Sequence, residues 1–383
     1  MSEPLVSVVM GTYNHEHFVH ESIQSVLAQD FPDFEFLISD DGSSDGTARV
    51  IAEHMDPRIS FRPHTVNRGA ALVFNELIQM ARGRYVAIIN SDDAWMPGKL
   101  SEQVQVLEQN PGIGAVFGRA EFVDRDGQAI DKSALSFGRV FDQPNRTRGE
   151  WLRQFFWRGN CLCHPSVMIR RSVYDSVGLY DNRLRQLPDF DMWVRVIKAT
   201  GIHVSKRNMV RFRILPGENA SSDTYTNRVR TLNEHLFIAL GFFDNVSAEL
   251  LHEGFGDYFR RPGMPDDITL GIEKAFLYMH PVQTLEHMYK IVGMMKLREM
   301  LSSADHRRVL SAEYDFDDRA FHRLEAEADG LQPAPRQGNI YVPPPEEQFD
   351  RRSGRDISEV TTRELARIIM GRLMTRARML TGR

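Results

Sequence analysis

The sequence predicts an α/β protein built on a mostly parallel sheet flanked by helices, followed by an all-helical appendage. Two observations carry this prediction. Short apolar runs alternate with segments whose apolar residues recur at helical spacing, and the main runs end abruptly in polar clusters. Beyond about residue 216 the alternation stops while the helical spacing continues.

Leu5 to Met10 is an almost continuous apolar run, as expected of a strand covered on both faces, and Gly11-Thr12-Tyr13-Asn14 ends it. Val19, Ile23, Val26 and Leu27 then fall on one helical face, closed by Asp30 and Pro32. The pattern repeats: strand Phe34 to Ile38, polar loop Ser39 to Asp45, helix Thr47 to Met55. A weaker strand at Ile59 to Phe61 precedes a helix over Ala70 to Ala81, and strand Tyr85 to Ile89 runs into Asn90-Ser91-Asp92-Asp93. In a parallel sheet ligands gather beyond the carboxyl ends of the strands, so these polar clusters are expected to line one crevice.

A helix after Pro97, a strand from Ile113 to Val123 and a hairpin turn at Asp124-Arg125-Asp126-Gly127 come next. Gly149 to Trp157 and Asp189 to Thr200 are expected as helices, Ser166 to Ile169 and Val210 to Ile214 as strands. The predicted organisation is a catalytic-type α/β domain over 1–216, a helical domain over 217–331, a proline-rich linker over 332–350 and a basic amphipathic tail over 351–383.

Composition, with 42% hydrophobic and 26% charged residues, is that of a soluble globular protein with a sizeable core. There is no apolar run long enough to cross a bilayer and no basic leader before the first strand. Cys161 and Cys163, one residue apart, cannot staple a fold, which suits a reducing compartment. The expected location is therefore cytoplasmic. The net charge of −5 hides nine arginines against three acids after residue 350, a local +6 that leaves −11 on the rest. Such a body is a poor nucleic-acid binder. The tail, with Leu365, Ile369, Leu373 and Ala377 on one helical face, suits peripheral contact with the inner face of a membrane, or packing on an acidic protein surface.

Adjacent carboxylates such as Asp92 and Asp93 repel one another unless a cation intervenes, and a hard divalent ion, Mn2+ or Mg2+, is the natural partner beside a diphosphate. Turn or cap roles are the structural alternative. Asp41 can accept from the imide N–H of a uracil or thymine base, and Tyr13 offers a ring to stack on it, while Asp45 and Ser44 fit an Asx turn capping the next helix. Asp189, at a helix start, can take a proton from an acceptor hydroxyl with a pKa near the ordinary value of about 3.9 or modestly raised, or can cap the helix. Cys161, Cys163 and His164 lack the spacing of a tetrahedral zinc site; loop packing is the default reading of His164, and a donor to phosphate or acceptor the functional one.

Together, Val6-Ser7-Val8-Val9-Met10-Gly11-Thr12-Tyr13-Asn14, Ser39-Asp40-Asp41-Gly42-Ser43-Ser44-Asp45-Gly46-Thr47, Asn90-Ser91-Asp92-Asp93 and Pro188-Asp189-Phe190-Asp191-Met192-Trp193 resemble the family 2 glycosyltransferases over about residues 4 to 215. The resemblance implies the GT-A fold, a single Rossmann-like domain, and transfer with inversion from a nucleotide-diphosphate sugar to an acceptor hydroxyl. The acceptor would be a glycan, a lipid-linked saccharide or another polymer. By position it implies that Gly11, Thr12, Tyr13 and Asp41 border the nucleotide, that Arg68 and His164 contact the donor side, that Asp92 and Asp93 hold the diphosphate through the metal, and that Asp189 is the base. Asn90 stands where the family often has aspartate, a departure that alters donor contacts. The rival reading is a degenerate, non-catalytic nucleotide-sugar-binding module, against which Asp92, Asp93 and Asp189 all speak. A dinucleotide-dependent oxidoreductase lacks its glycine fingerprint after the first strand.

Overall fold

The computed structural model describes residues 3–219, 222–281, 285–327, 349–350 and 355–356. The expected linker and basic tail lie outside these residues, apart from an antiparallel pair of two-residue strands, Phe349–Asp350 with Arg355–Asp356.

The first half follows the predicted alternation: β1 (Val6–Thr12), α1 (Val19–Leu27), β2 (Phe34–Asp40), α2 (Thr47–Ala52), β3 (Ile59–Pro63), α3 (Ala70–Met80) and β4 (Tyr85–Ile88). Then come β5 (Ala94–Trp95), α4 (Lys99–Gln109), β6 (Ile113–Val123), α5 (Arg148–Arg158), β7 (Met168–Arg170), α6 (Arg171–Val177), α7 (Pro188–Ala199) and β8 (Gly201–Arg213). The eight strands form one sheet in the order β3-β2-β1-β4-β7-β6-β8-β5. Neighbours β3-β2, β2-β1, β1-β4 and β6-β8 run parallel. β7 runs antiparallel to both β4 and β6, and β5 antiparallel to β8.

Burial explains the sequence pattern. Val6, Val8, Val9 and Met10 of β1 are all fully buried, since helices cover both faces of the sheet. One face packs Val9, Leu37 and Ile88 against α3, α5 and α7; the other packs Val8, Met10 and Ile38 against α1 and α4. The hairpin turn forms as expected, with Gly127 N–H donating to the Asp124 carbonyl at 3.1 Å. A capping box between Thr147 and Glu150 starts α5. Pro188, with no N–H to leave unpaired, opens α7.

β8 is longer than its predicted core of Val210 to Ile214, because exposed Lys206, Arg207 and Asn208 interrupt its apolar alternation, where its pairing with β6 also shifts register. Beyond it lie α8 (Tyr225–Leu240), α9 (Ala248–Phe255), α10 (Asp267–Leu277), α11 (Glu286–Leu301), α12 (Ala304–Tyr314) and α13 (Asp318–Glu327). Phe156 of α5 lies among the rings of Phe242, Phe243, Phe255, Tyr278 and Tyr289, with centroids 4.6–5.7 Å away. The first of these helices therefore share the core of the sheet's helical layer. Among the described residues no helix is long and apolar enough to cross a membrane.

Candidate active site

The tips of β2, β1 and β4 lie side by side. Thr12 pairs with Asp40, the Asp41 N–H donates to the Thr12 carbonyl at 2.8 Å, and Ile89 N–H reaches the Val9 carbonyl at 3.2 Å. Gly11 lets α3 approach closely: a Cβ there would sit 3.2 Å from Val73 Cγ1, a tight contact. Past Thr12 the chain turns through Asn14 in the left-handed region (φ 54°), whose Oδ1 accepts from Ser44 N–H at 2.8 Å. His15 Nδ1 meets Ser91 Oγ at 2.7 Å, tying the first loop to the Asn90–Asp93 loop. Tyr13 projects from this rim, 44% exposed.

Asp41 is buried, and its carboxylate accepts from the backbone N–H of Arg68 at 2.7 Å and of Gly69 at 2.9 Å, just before α3. It thus locks the β3–α3 loop against the β2 tip, with unused lone pairs on both oxygens. Gly42 permits the contact: its φ is +74°, and a Cβ would lie 2.7 Å from the Val66 carbonyl carbon. Asp45, just before the Gly46 cap of α2, closes an Asx turn by accepting from Thr47 N–H at 3.0 Å. Arg68 pairs with Glu76 at 2.5 Å, and Glu76 also meets His64 at 3.1 Å.

Asp92 and Asp93 share the loop but differ in environment. Both oxygens of Asp93 are engaged, one by Arg213 N–H at 2.8 Å and the other by Asn90 Nδ2 at 3.0 Å. Burial first, and then the charge of Asp92, push its carboxyl well above the usual range. Asp92 Oδ2 accepts from Asn219 Nδ2 at 2.9 Å, while Oδ1 receives no donor among the described residues. Arg213 braces this loop from the end of β8. Its Nε donates to the Asp92 carbonyl at 2.9 Å, Nη1 to the carbonyls of Asp124 and Arg125, and Nη2 pairs with Glu21.

A second wall comes from the loop before β7 and the start of α7. The Val167 carbonyl accepts from Ile88 N–H at 3.2 Å, so this loop meets the sheet beside the β4 tip. His164 Nε2 lies 3.1 Å from the Tyr180 hydroxyl, and its ring packs edge-on to Phe74 of α3 at 5.5 Å. Burial lowers its pKa to about 4, so the imidazole is neutral. Asp189 Oδ2 accepts from Asn160 Nδ2 at 2.6 Å and Oδ1 from its neighbour Phe190 N–H at 2.8 Å. Burial outweighs these two bonds and raises its pKa to about 6. The segment leading into α7 is pinned by buried Glu234 of α8, which accepts from the N–H groups of Arg185, Gln186 and Leu187 at 2.8–2.9 Å.

Gly11, Thr12, Asp41, Arg68, Asp92 and Asp93 thus collect at adjoining strand tips, with Tyr13 at their rim. His164 bridges through Phe74 to the α3 wall that faces Gly11, and Asp189 is held by Asn160 of the same loop that carries His164. Arg213, Asn219, Asn160 and Glu234 were not foreseen. Each is an isolated polar residue whose partner lies more than twenty-five residues away in sequence. Cys161 and Cys163 are free and buried, and burial raises the Cys161 thiol to about 12.

The fold and its comparisons define a glycosyltransferase of the GT-A type. The Glycosyl transferase family 2 model matches residues 7–178. The chain is 35% identical over 200 residues to the putative teichuronic acid biosynthesis glycosyltransferase TuaG of Bacillus subtilis (strain 168), covering 51% of this chain and 73% of that one. It is 36% identical over 143 residues to an Escherichia coli UDP-Glc:alpha-D-GlcNAc-diphosphoundecaprenol beta-1,3-glucosyltransferase, covering 37% and 56%. The crystal structure of S. aureus TarS 1–349 in complex with UDP-GlcNAc has the same fold, with a TM-score of 0.52 at 18% identity over 81% of this chain and 91% of that chain. The chain belongs to glycosyltransferase family 2.

Proposed function

We propose that the chain transfers a hexosyl group from a nucleotide-diphosphate sugar, a UDP-sugar foremost, to an acceptor hydroxyl of a glycan, a lipid-linked saccharide or another polymer, with inversion at the anomeric carbon. The observation that carries this reading is Asp189. Its carboxylate is oriented by Asn160 and Phe190 N–H, and its pKa of about 6 leaves it ionised near neutrality yet more basic than a free aspartate. That is the character needed to take a proton from a hydroxyl as it attacks. Tyr13, Gly11 and Thr12 would border the base, and the lone pairs left on Asp41 would accept from its imide N–H.

The residues fit a divalent ion. Asp92 keeps one hard oxygen without a donor, and among the described residues no three His, Cys, Asp or Glu side chains converge into a closed cage. An ion held by Asp92, with Asp93 behind it, would complete its shell from diphosphate oxygens and water, as Mg2+ or Mn2+ does. Its contribution would be to offset the charge of the departing diphosphate. Arg213 and Asn90 hold the Asp93 side chain, and Asn219 holds that of Asp92, so the loop need not reorganise as charge develops.

The test is transfer from a panel of nucleotide sugars with manganese, comparing the full chain with Asp189→Asn. Loss of a general base predicts a fall in kcat of about 10²–10⁴-fold with UDP binding retained. Unchanged turnover in the variant would refute the assignment.

A further inference from the structure

Arg146, Arg153 and Arg158 line one cleft of about 140 Å³, with Glu150, Gln154 and Trp157. Five of these six lie on α5, at positions 150, 153, 154, 157 and 158, on the face turned away from buried Leu152, Phe155 and Phe156, with Trp151 at its border. Three guanidinium groups gathered in one cleft repel each other. Among the described residues none of the three forms an ion pair, unlike Arg68, Arg195 and Arg213. Glu150 offsets only one of the three charges and pairs with none of the arginines, since its carboxylate turns to the helix start and accepts from Thr147 N–H at 2.9 Å.

Two of the arginines are also held in place. Arg146 stacks over Trp151 at 4.7 Å, and Arg153 lies 5.8 Å from Trp157 and 5.9 Å from Tyr258. Stacking fixes a guanidinium plane while leaving edge N–H groups for the paired oxygens of a phosphate; on Arg146 one such group, on Nη1, also reaches the Pro144 carbonyl at 3.3 Å. The cleft adjoins the loop that serves Asp189: Arg158 stands two residues before Asn160, and Gln154 Nε2 contacts Cys161 Sγ at 3.9 Å.

We propose that this cleft binds a phosphate or diphosphate group carried by the acceptor, holding it on the side of the base. The word acceptor rests on the function proposed above; the oxyanion site itself does not. The cleft lies apart from the Asp92 loop and needs no metal.

The experiment is calorimetric titration of the full chain with inorganic pyrophosphate in EDTA, for the wild type, the triple variant Arg146→Gln/Arg153→Gln/Arg158→Gln, and Asp92→Asn. The expected result is binding that weakens at least about tenfold in the triple variant and is unchanged in Asp92→Asn. UDP binding with manganese should survive in the triple variant, showing that it is folded. Absence of wild-type binding, equal binding by the triple variant, or loss in Asp92→Asn would each overturn the site. Co-sedimentation with phosphatidylcholine vesicles, with and without polyprenyl diphosphate, identifies the source. Arginine-dependent pelleting marks a lipid-borne diphosphate; pyrophosphate binding without pelleting marks a phosphate on a soluble acceptor. Turnover that persists in Asp189→Asn would remove the proposed base and leave the pyrophosphate result standing.

Discussion

The side-chain amide of Asn160 donates to Asp189 Oδ2 at 2.6 Å, across twenty-nine residues of sequence. This bond favours the ionised carboxylate, whereas burial, the larger effect, opposes it and sets the pKa at about 6.

Activity should accordingly fall as pH drops through about 6, along a one-proton limb in kcat/KM. Asn160→Ala removes a group that favours the charge, so the limb should move to higher pH. A limb that stays in place in this variant would show that it belongs to another group.

The same shift bears on stability. The folded chain holds the Asp189 proton more tightly than the unfolded chain does, so this carboxyl's contribution is most favourable below the unfolded pKa. It is lost as pH rises through about 6. The shift from 3.8 to about 6 sets an upper bound of about 3 kcal/mol, lowered by the solvent that reaches a half-buried group. Asp189→Asn should therefore melt no lower than the wild type at pH 8, despite losing turnover. A marked drop in Tm at that pH would show that the charge itself supports the fold.

Asp41→Ala removes the acceptor of two part-buried N–H groups, those of Arg68 and Gly69. Each unpaired donor costs about 1–3 kcal/mol. Urea unfolding should register the loss, and titration should show weaker UDP binding. Normal UDP affinity in a destabilised variant would confine Asp41 to a structural role.

Glu234 accepts three consecutive N–H groups ahead of α7, and a glutamine offers a single acceptor oxygen for them. Glu234→Gln should lower kcat by roughly 10–100-fold through misplacement of Asp189, with donor KM unchanged. Steady-state kinetics on protein verified as folded would decide; a rise in donor KM alone would assign Glu234 to the other wall.

Much of the strand-tip wall was legible in the sequence. The strands β1, β2 and β4 are buried on both faces and read as apolar runs, so the polar residues after them mark the tips unambiguously. The place of Asp189 was legible too: the helix expected from Asp189 to Thr200 runs from Pro188 to Ala199, with Asp189 in its first turn. The supports were not. Arg213 closes a strand whose exposed Lys206 to Asn208 stretch hides its length, and Glu234 sits in a helix with no local mark of its three backbone partners. Long-range partners of this kind follow from tertiary packing, which spacing along the chain does not encode. Asp41 shows the complementary gap: its place was evident, but not its two backbone donors from the next loop.

Because β7 points the opposite way from β4, the segment that precedes it arrives where other segments depart. One rim of the crevice is thus built by chain leaving the sheet and the other by chain entering it. Residues 159–167, which carry Asn160 and His164, run toward the sheet where the loops after β1, β2 and β4 run away from it, so the two rims can differ in length independently.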